Sequence, residues 1–271
     1  MNNPLELVHF VQWRRIAPAD YGKTLAELKA GGVDAVVAHD MWGDPETDVY
    51  GTLRSFKRLA DAAGVRVPAA HGLWRPKFDL GLCGEEGIAA HRRFLDALAE
   101  LGVRTYTVHP GFTMSAVPEG FFARLRDNVG ALMEPCRDAG IVLAVENGME
   151  SFAELERTVA VVAETRSPYC GMCCDVGHAH CYPHDLAGVM ETMAPWIVTM
   201  HLHDNDGTHD DHAAPGAGTL DWALVGRKMP GLPRLLHAET EVGTAWDAAV
   251  YRSCRDALAC PSVIARRRMT D

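Results

Sequence analysis

A chain of 271 residues with 48% hydrophobic and 23% charged residues has enough apolar mass for one sizeable α/β domain. A formal net charge of −10 argues against nucleic acid or an anionic membrane as the main partner, and no apolar run approaches bilayer length. The opening MNNPLELVHF lacks the basic and long apolar regions of a signal peptide, so a cytoplasmic location is expected, with the eight cysteines as reduced thiols.

Short β-branched runs alternate with segments of helical periodicity. Strands are expected at 5–10, 33–38, 65–70, 103–108, 141–145, 169–174, 196–200 and 235–238. Helices are expected at 21–30, 48–63, 85–101, 118–139, from Ser151 onward, and at 184–194, 220–228 and 245–259. Pro68 is awkward for a central strand because it donates nothing to a ladder. Ser151 with Glu154 three residues on matches a capping box. Cys170 and Cys173 fit C-x-x-C but fall inside an expected strand, where buried small hydrophobes are the better reading. Eight β–α units without a linker imply parallel strands closed into a single (β/α)8 TIM barrel over residues 1–271. A doubly wound sheet is disfavoured, since FVQWRR after the first strand is no glycine-rich phosphate turn.

In such a barrel the working residues sit where strands end. Those ends read His71, His109, Glu146, Asp175 with His178, His201 with His203, and Glu239. The seventh strand runs into HLHDNDGTHDDH, adding Asp204, Asp210 and His212. Imidazoles and carboxylates gathered this densely suit a divalent metal, since each is costly to bury unless paired or coordinated. Oxygen and nitrogen donors fit Mn, Zn, Co or Mg, with histidine weighing against Mg. The loop GLWRPKFDLGLCG carries Trp74, Arg75 and Lys77, which could close over a sugar or hold a phosphate.

The motifs VENG, CDVGHAH, HLHD, DDH, PGAG and HAETE resemble those of the xylose isomerase-like TIM barrels. That group includes sugar (phosphate) isomerases and epimerases and, as cousins, apurinic-site endonucleases of the endonuclease IV type. The resemblance is strongest over 141–241, and the first forty residues match nothing in particular. It implies a metal held by Glu146, Asp175, His201 and Glu239, with His203 as an alternative to His201 and Asp204 completing H-x-x-D. The implied activity is isomerisation or epimerisation of a small sugar, sugar phosphate or related polyol ketone through an enediolate. Glu146 and Glu239 would serve as acid and base, and His178 and His203 would orient substrate oxygens.

The endonuclease branch implies an alternative, phosphodiester hydrolysis at a multinuclear zinc site. His71, His109, His178, Asp210 and His212 would be its extra ligands, although that branch's N-terminal signature and a basic surface are missing. A decayed barrel serving only to bind is disfavoured because none of the four core ligands is lost. The expected partner is a small carbohydrate, and a homo-oligomer is compatible with the sequence.

Overall fold

The computed structural model describes residues 5–39, 49–72, 75–111, 117–183, 185–243 and 245–259. Eight parallel strands follow in chain order: β1 (Glu6–His9), β2 (Ala35–Ala38), β3 (Arg66–His71), β4 (Thr105–Val108), β5 (Val142–Glu146), β6 (Cys170–Asp175), β7 (Ile197–Leu202) and β8 (His237–Thr240). Each pairs with its neighbour in sequence, and β8 returns to β1 to close the barrel. The connections are helical: α1 (Tyr21–Ala30), α2 (Val49–Ala63), α3 (Glu85–Ala99), α4 (Phe121–Ala139), α5 (Phe152–Glu164), α6 (Val176–Cys181), α7 (Leu186–Met193), α8 (Trp222–Lys228) and α9 (Ala248–Ala259). This is the (β/α)8 TIM barrel expected from the alternation. No described helix is long and apolar enough to cross a membrane.

Each helix buries one apolar stripe against the outer face of the barrel. Leu25 and Leu28 of α1, Leu53 and Phe56 of α2, and Phe94, Leu95 and Leu98 of α3 are buried together with the outward residues Val36, Ala38 and Ala70. Full burial of one such side chain is worth roughly 1.5–3 kcal/mol. The described cysteines are free and buried, and Cys170 and Cys173 both lie within β6, as their strand context predicts.

Two local features account for departures from a regular alternation. Pro68 does lie inside β3, at a bulge: Ala35 pairs with Arg66 and Val37 with Ala69, so β3 carries one extra residue there. The proline's missing N–H is tolerated at this irregularity, while its carbonyl accepts from Arg104 N at 2.7 Å. The helix α6 was not expected separately. It starts directly at the end of β6 because the Asp175 side chain accepts from His178 N at 2.8 Å, an N-cap that turns the chain into a helix at once. The helix expected over 184–194 is α7, and His184 lies outside the described residues.

Inside the barrel, alternation divides the residues by height and by side. Val8, Phe10, Ala35, Val37 and Ala69 form one apolar cluster, and Ala144, Cys173 and Val198 form another. The interior also holds buried Thr105, Thr107, Thr199, His237 and Glu239, an unusually polar filling for a barrel core.

The capping box at the start of α5 is present in full: Ser151 Oγ accepts from Glu154 N, and Ser151 N donates to Glu154 Oε2 at 2.9 Å. Ser151→Ala is expected to lower unfolding stability by about 1 kcal/mol. Urea titration checks this, with the midpoint falling and the slope unchanged.

Candidate metal centre

Strand pleating delivers the site. On β7 and its extension, Thr199, His201 and His203 share the inward face, and on β8 His237, Glu239 and Glu241 do the same. His71 closes β3, Glu146 closes β5 and Asp175 closes β6. His109 follows β4, His178 lies in α6, and Asp210 and His212 come from the loop after β7. The last positive-φ side chain of that loop is His212 itself (φ 47°), which turns its ring back over the mouth. There it stacks on His203, with ring centroids 4.1 Å apart.

Donor atoms of Glu146, Asp175, His201 and Glu241 all lie within 4.8 Å of one another. His201 Nδ1 is 2.7 Å from Glu241 Oε2, 3.2 Å from Glu146 Oε1 and 3.6 Å from Asp175 Oδ2. Two further groups adjoin this one: His71, His109 and Glu146 on one side, and His178, Asp210 and His212 on the other. His203 Nε2 faces both oxygens of Asp175 at 3.1 Å and also groups with His212 and Glu241.

Of the four expected core ligands, three converge and the fourth does not. Glu239 sits one pleat deeper, its Oε1 bonded to Thr199 and His237, while Glu241 occupies the mouth position. HAETE offers two glutamates on one strand face, and the sequence contains no measure of the height at which that strand meets the others. Asp204 is likewise removed from the site. Its carboxylate accepts from Gly216 N, Leu220 N and Trp222 Nε1, so it organises the loop. Lys77 lies with its ammonium 5.0 Å from the Phe78 ring and joins none of the donor groups, and Trp74 falls outside the described residues.

The chemistry of these donors fits a divalent cation. His71, His178 and His212 each donate from Nδ1 to a backbone carbonyl: Gly72 O at 2.9 Å, Asn147 O at 2.8 Å and Glu241 O at 2.9 Å. That fixes one proton on Nδ1 and turns Nε2 toward the carboxylates, so Nε2 is the nitrogen that would ligate a cation once its own proton is displaced. Glu146 Oε2 lies 2.9 Å from His109 Nε2 and 3.3 Å from His71 Nε2, yet it meets hydrogen-bond geometry with neither. Glu241 Oε2 is similarly close to His201 without a hydrogen bond. Donor atoms this close and not spent on hydrogen bonds are available to a shared cation.

Electrostatics agree. Burial pushes the Glu146 carboxyl upward, but the charges of His201 and His109, with the hydrogen bond to His201, outweigh it and hold the group well below its ordinary range. Asp175 behaves in the same way, with His178 and His203 opposing burial. The His178 and His201 imidazoles resist their own burial and are raised well above the usual range by the surrounding acids. His212 is pushed up to about 10, burial being outweighed by Asp210 and Glu241. Among the described residues, the carboxylates gathered at the mouth thus face imidazoles whose protons offset their charge.

A parallel barrel whose C-terminal mouth gathers carboxylates and imidazoles from at least five strand ends belongs to the class of barrel proteins with a polar catalytic-type mouth. The family model of the xylose isomerase-like TIM barrel matches residues 24–254, and the chain belongs to that family. A putative xylose isomerase from Rhodospirillum rubrum superposes with a TM-score of 0.75 at 18% identity, covering 94% of this chain and 99% of that one. The 3-keto-D-glucoside 4-epimerase of E. coli gives 0.71 at 20% identity, with 94% and 98% covered. The TTHB071 protein of Thermus thermophilus, soaked with zinc chloride, gives 0.71 at 22% identity, with 97% and 99% covered. At these identities the likeness is one of fold. Among curated sequences, protein y4fM of Sinorhizobium fredii is 26% identical over 154 residues, 52% of this chain and 48% of its own. Protein MJ1311 of Methanocaldococcus jannaschii is 26% identical over 152 residues, 51% and 50%. The chain spans about half the length of these curated relatives.

Sequence reading passed over Glu150, which follows β5 and is buried with neither carboxylate oxygen in a hydrogen bond. Its only sequence signal is its place four residues after Glu146. Burial pushes its carboxyl up to about 8. An acid with a raised folded pKa binds its proton more tightly in the native state, so stability falls as pH rises from about 4.5 to about 8. Glu150→Gln is therefore expected to leave the melting temperature nearly unchanged at pH 5 and to raise it at pH 9. Thermal melts at the two pH values check this, and equal shifts at both would rule it out.

Proposed function

We propose that the chain is a metal-dependent epimerase or isomerase acting on a small keto sugar, its phosphate or a related polyol ketone. The observation that carries this reading is the pair Glu146 and Glu241. These are two buried carboxylates from separate strands, each with an oxygen free of hydrogen bonds, flanking one ring nitrogen of His201. Glu146, Asp175, His201 and Glu241 would hold the cation, which supplies Lewis-acid polarisation of a substrate carbonyl. One glutamate would take the proton from the carbon beside that carbonyl, and the other would return a proton. Return to the opposite face gives an epimer, and return to the neighbouring carbon by a single glutamate gives the isomer. The names of structural neighbours, several of them keto-sugar 3- or 4-epimerases, support the substrate class.

The two flanking donor groups, His71–His109–Glu146 and His178–Asp210–His212, favour a second reading, metal-assisted phosphodiester hydrolysis at a multinuclear centre. In the epimerase reading these histidines instead orient substrate oxygens, and the net charge of −10 weighs against a DNA substrate.

Solvent deuterium is expected to enter ketohexoses at the carbon beside the carbonyl when the manganese-loaded protein is incubated in heavy water and followed by NMR. Glu146→Gln and Glu241→Gln should each lower that exchange by about 10²-fold or more. No exchange across a panel of ketoses and their phosphates, together with cleavage of an abasic-site oligonucleotide, would replace this reading with the hydrolytic one. Metal content is expected near one ion per chain. Two or three tightly held zinc ions would favour the multinuclear centre, and His212→Ala would then remove part of that content.

A further inference from the structure

His201 is turned the opposite way from His71, His178 and His212. Those three anchor Nδ1 on a backbone carbonyl and present Nε2 to the carboxylates. His201 presents Nδ1 to Glu146, Asp175 and Glu241, so its Nε2 points into the barrel, away from the mouth. No hydrogen bond reaches that Nε2. The charged group facing it is Glu239, whose Oε2 lies 3.6 Å away. Glu239 is 1% exposed and is oriented from its other oxygen: Oε1 accepts from the Thr199 hydroxyl at 3.0 Å and from His237 Nε2 at 3.1 Å. His237 Nε2 is in turn 3.1 Å from Thr105 Oγ1, so strands β4, β7 and β8 all contribute to holding this carboxylate.

We propose that Glu239 is a positioning residue, a buried carboxylate that takes the Nε2–H of His201 and so keeps the Nδ1 lone pair directed at the cation. The inference rests on the metal-binding part of the reading above, not on the reaction assigned to it. A neutral imidazole that ligates through Nδ1 must carry its proton on Nε2, and a buried N–H without an acceptor is penalised. A carboxylate acceptor both satisfies that proton and raises the basicity of the ligating nitrogen. Full hydrogen-bond contact needs the two groups to close by roughly half an ångström. Cys173 also lies against His201, but burial keeps its thiol protonated, and a thiol sulfur is a weak acceptor. The other three histidines need no such residue because backbone carbonyls do the same work for them. His201 stands on a strand whose carbonyls are committed to its neighbours.

The test uses cobalt(II) titrated into the metal-stripped full chain, read by its visible d–d absorption, for the wild type, Glu239→Gln, Thr199→Val and His201→Ala. Glu239→Gln is expected to fold, to weaken cobalt binding by roughly 10–100-fold and to shift the absorption bands, because the neutral amide withdraws charge from the His201 ligand. Thr199→Val, which keeps the charge but loosens its aim, should weaken binding several-fold; it carries the test if Glu239→Gln does not fold. A merely structural Glu239 would lower the melting temperature and leave the bands where they are. Unchanged affinity and bands in both Glu239→Gln and Thr199→Val would overturn the positioning role while leaving the metal site intact. Wild type that takes up no cobalt, or takes it up no better than His201→Ala, would remove the metal reading and this inference together.

Discussion

Burying several carboxylates within a few ångströms of one another is the constraint on which the rest of this structure depends. Glu146, Asp175 and Glu241 are all buried at the barrel mouth, and their mutual repulsion in a weakly polar interior would be costly without compensating charge. Imidazoles from β3, β7, α6 and the loops around them supply that compensation as protons. The surrounding architecture is arranged to keep those rings in place. Backbone carbonyls hold three of them, and Gly177 packs so closely under the His203 ring that a Cβ would come within 1.9 Å of it.

The site has a second level beneath the mouth. A TIM-barrel interior is commonly filled by branched apolar side chains. Here one part of it is given to Thr105, Thr199, His237 and Glu239. Polar groups in such a place are retained only when fully satisfied, because a half-satisfied network is worse than an apolar core. On the side facing the proposed metal, the network stops at the gap between Glu239 and His201, whose Nε2 has no hydrogen bond. Support and site are therefore continuous, running from the middle of the barrel to its open end.

Membership of the xylose isomerase-like family places the chain among barrels whose loops have been turned to different chemistries. Among the described residues the donors of this mouth adjoin in five overlapping groups, with Glu146 common to two of them and Glu241 to three. A glutamate so placed can hold a cation or move a proton, and the balance between those roles depends on how many ions the mouth retains. The structural neighbours compared above share the scaffold at 18–22% identity, so the donor geometry, not the likeness, carries the chemistry proposed for this chain.

The order of strands and helices was legible in the sequence because the periods of 2 and 3.6 are local properties of the chain. Strand ends were legible for the same reason, and with them His71, His109, Glu146, Asp175, His201 and His203 as residues near one mouth. The capping box at Ser151 was readable from two residues alone. Tertiary structure decided what depends on height and register. The pleat put Glu239 and Glu241 on one face, but only closure of the barrel set the level at which β8 meets β7 and so brought Glu241, not Glu239, to the donors. The bulge that accommodates Pro68 and the burial of Glu150 are likewise products of packing between segments distant in sequence. A one-dimensional pattern records which way a side chain faces. How deep it lies is a property of eight strands tilted against one another, and no single stretch of the chain contains it.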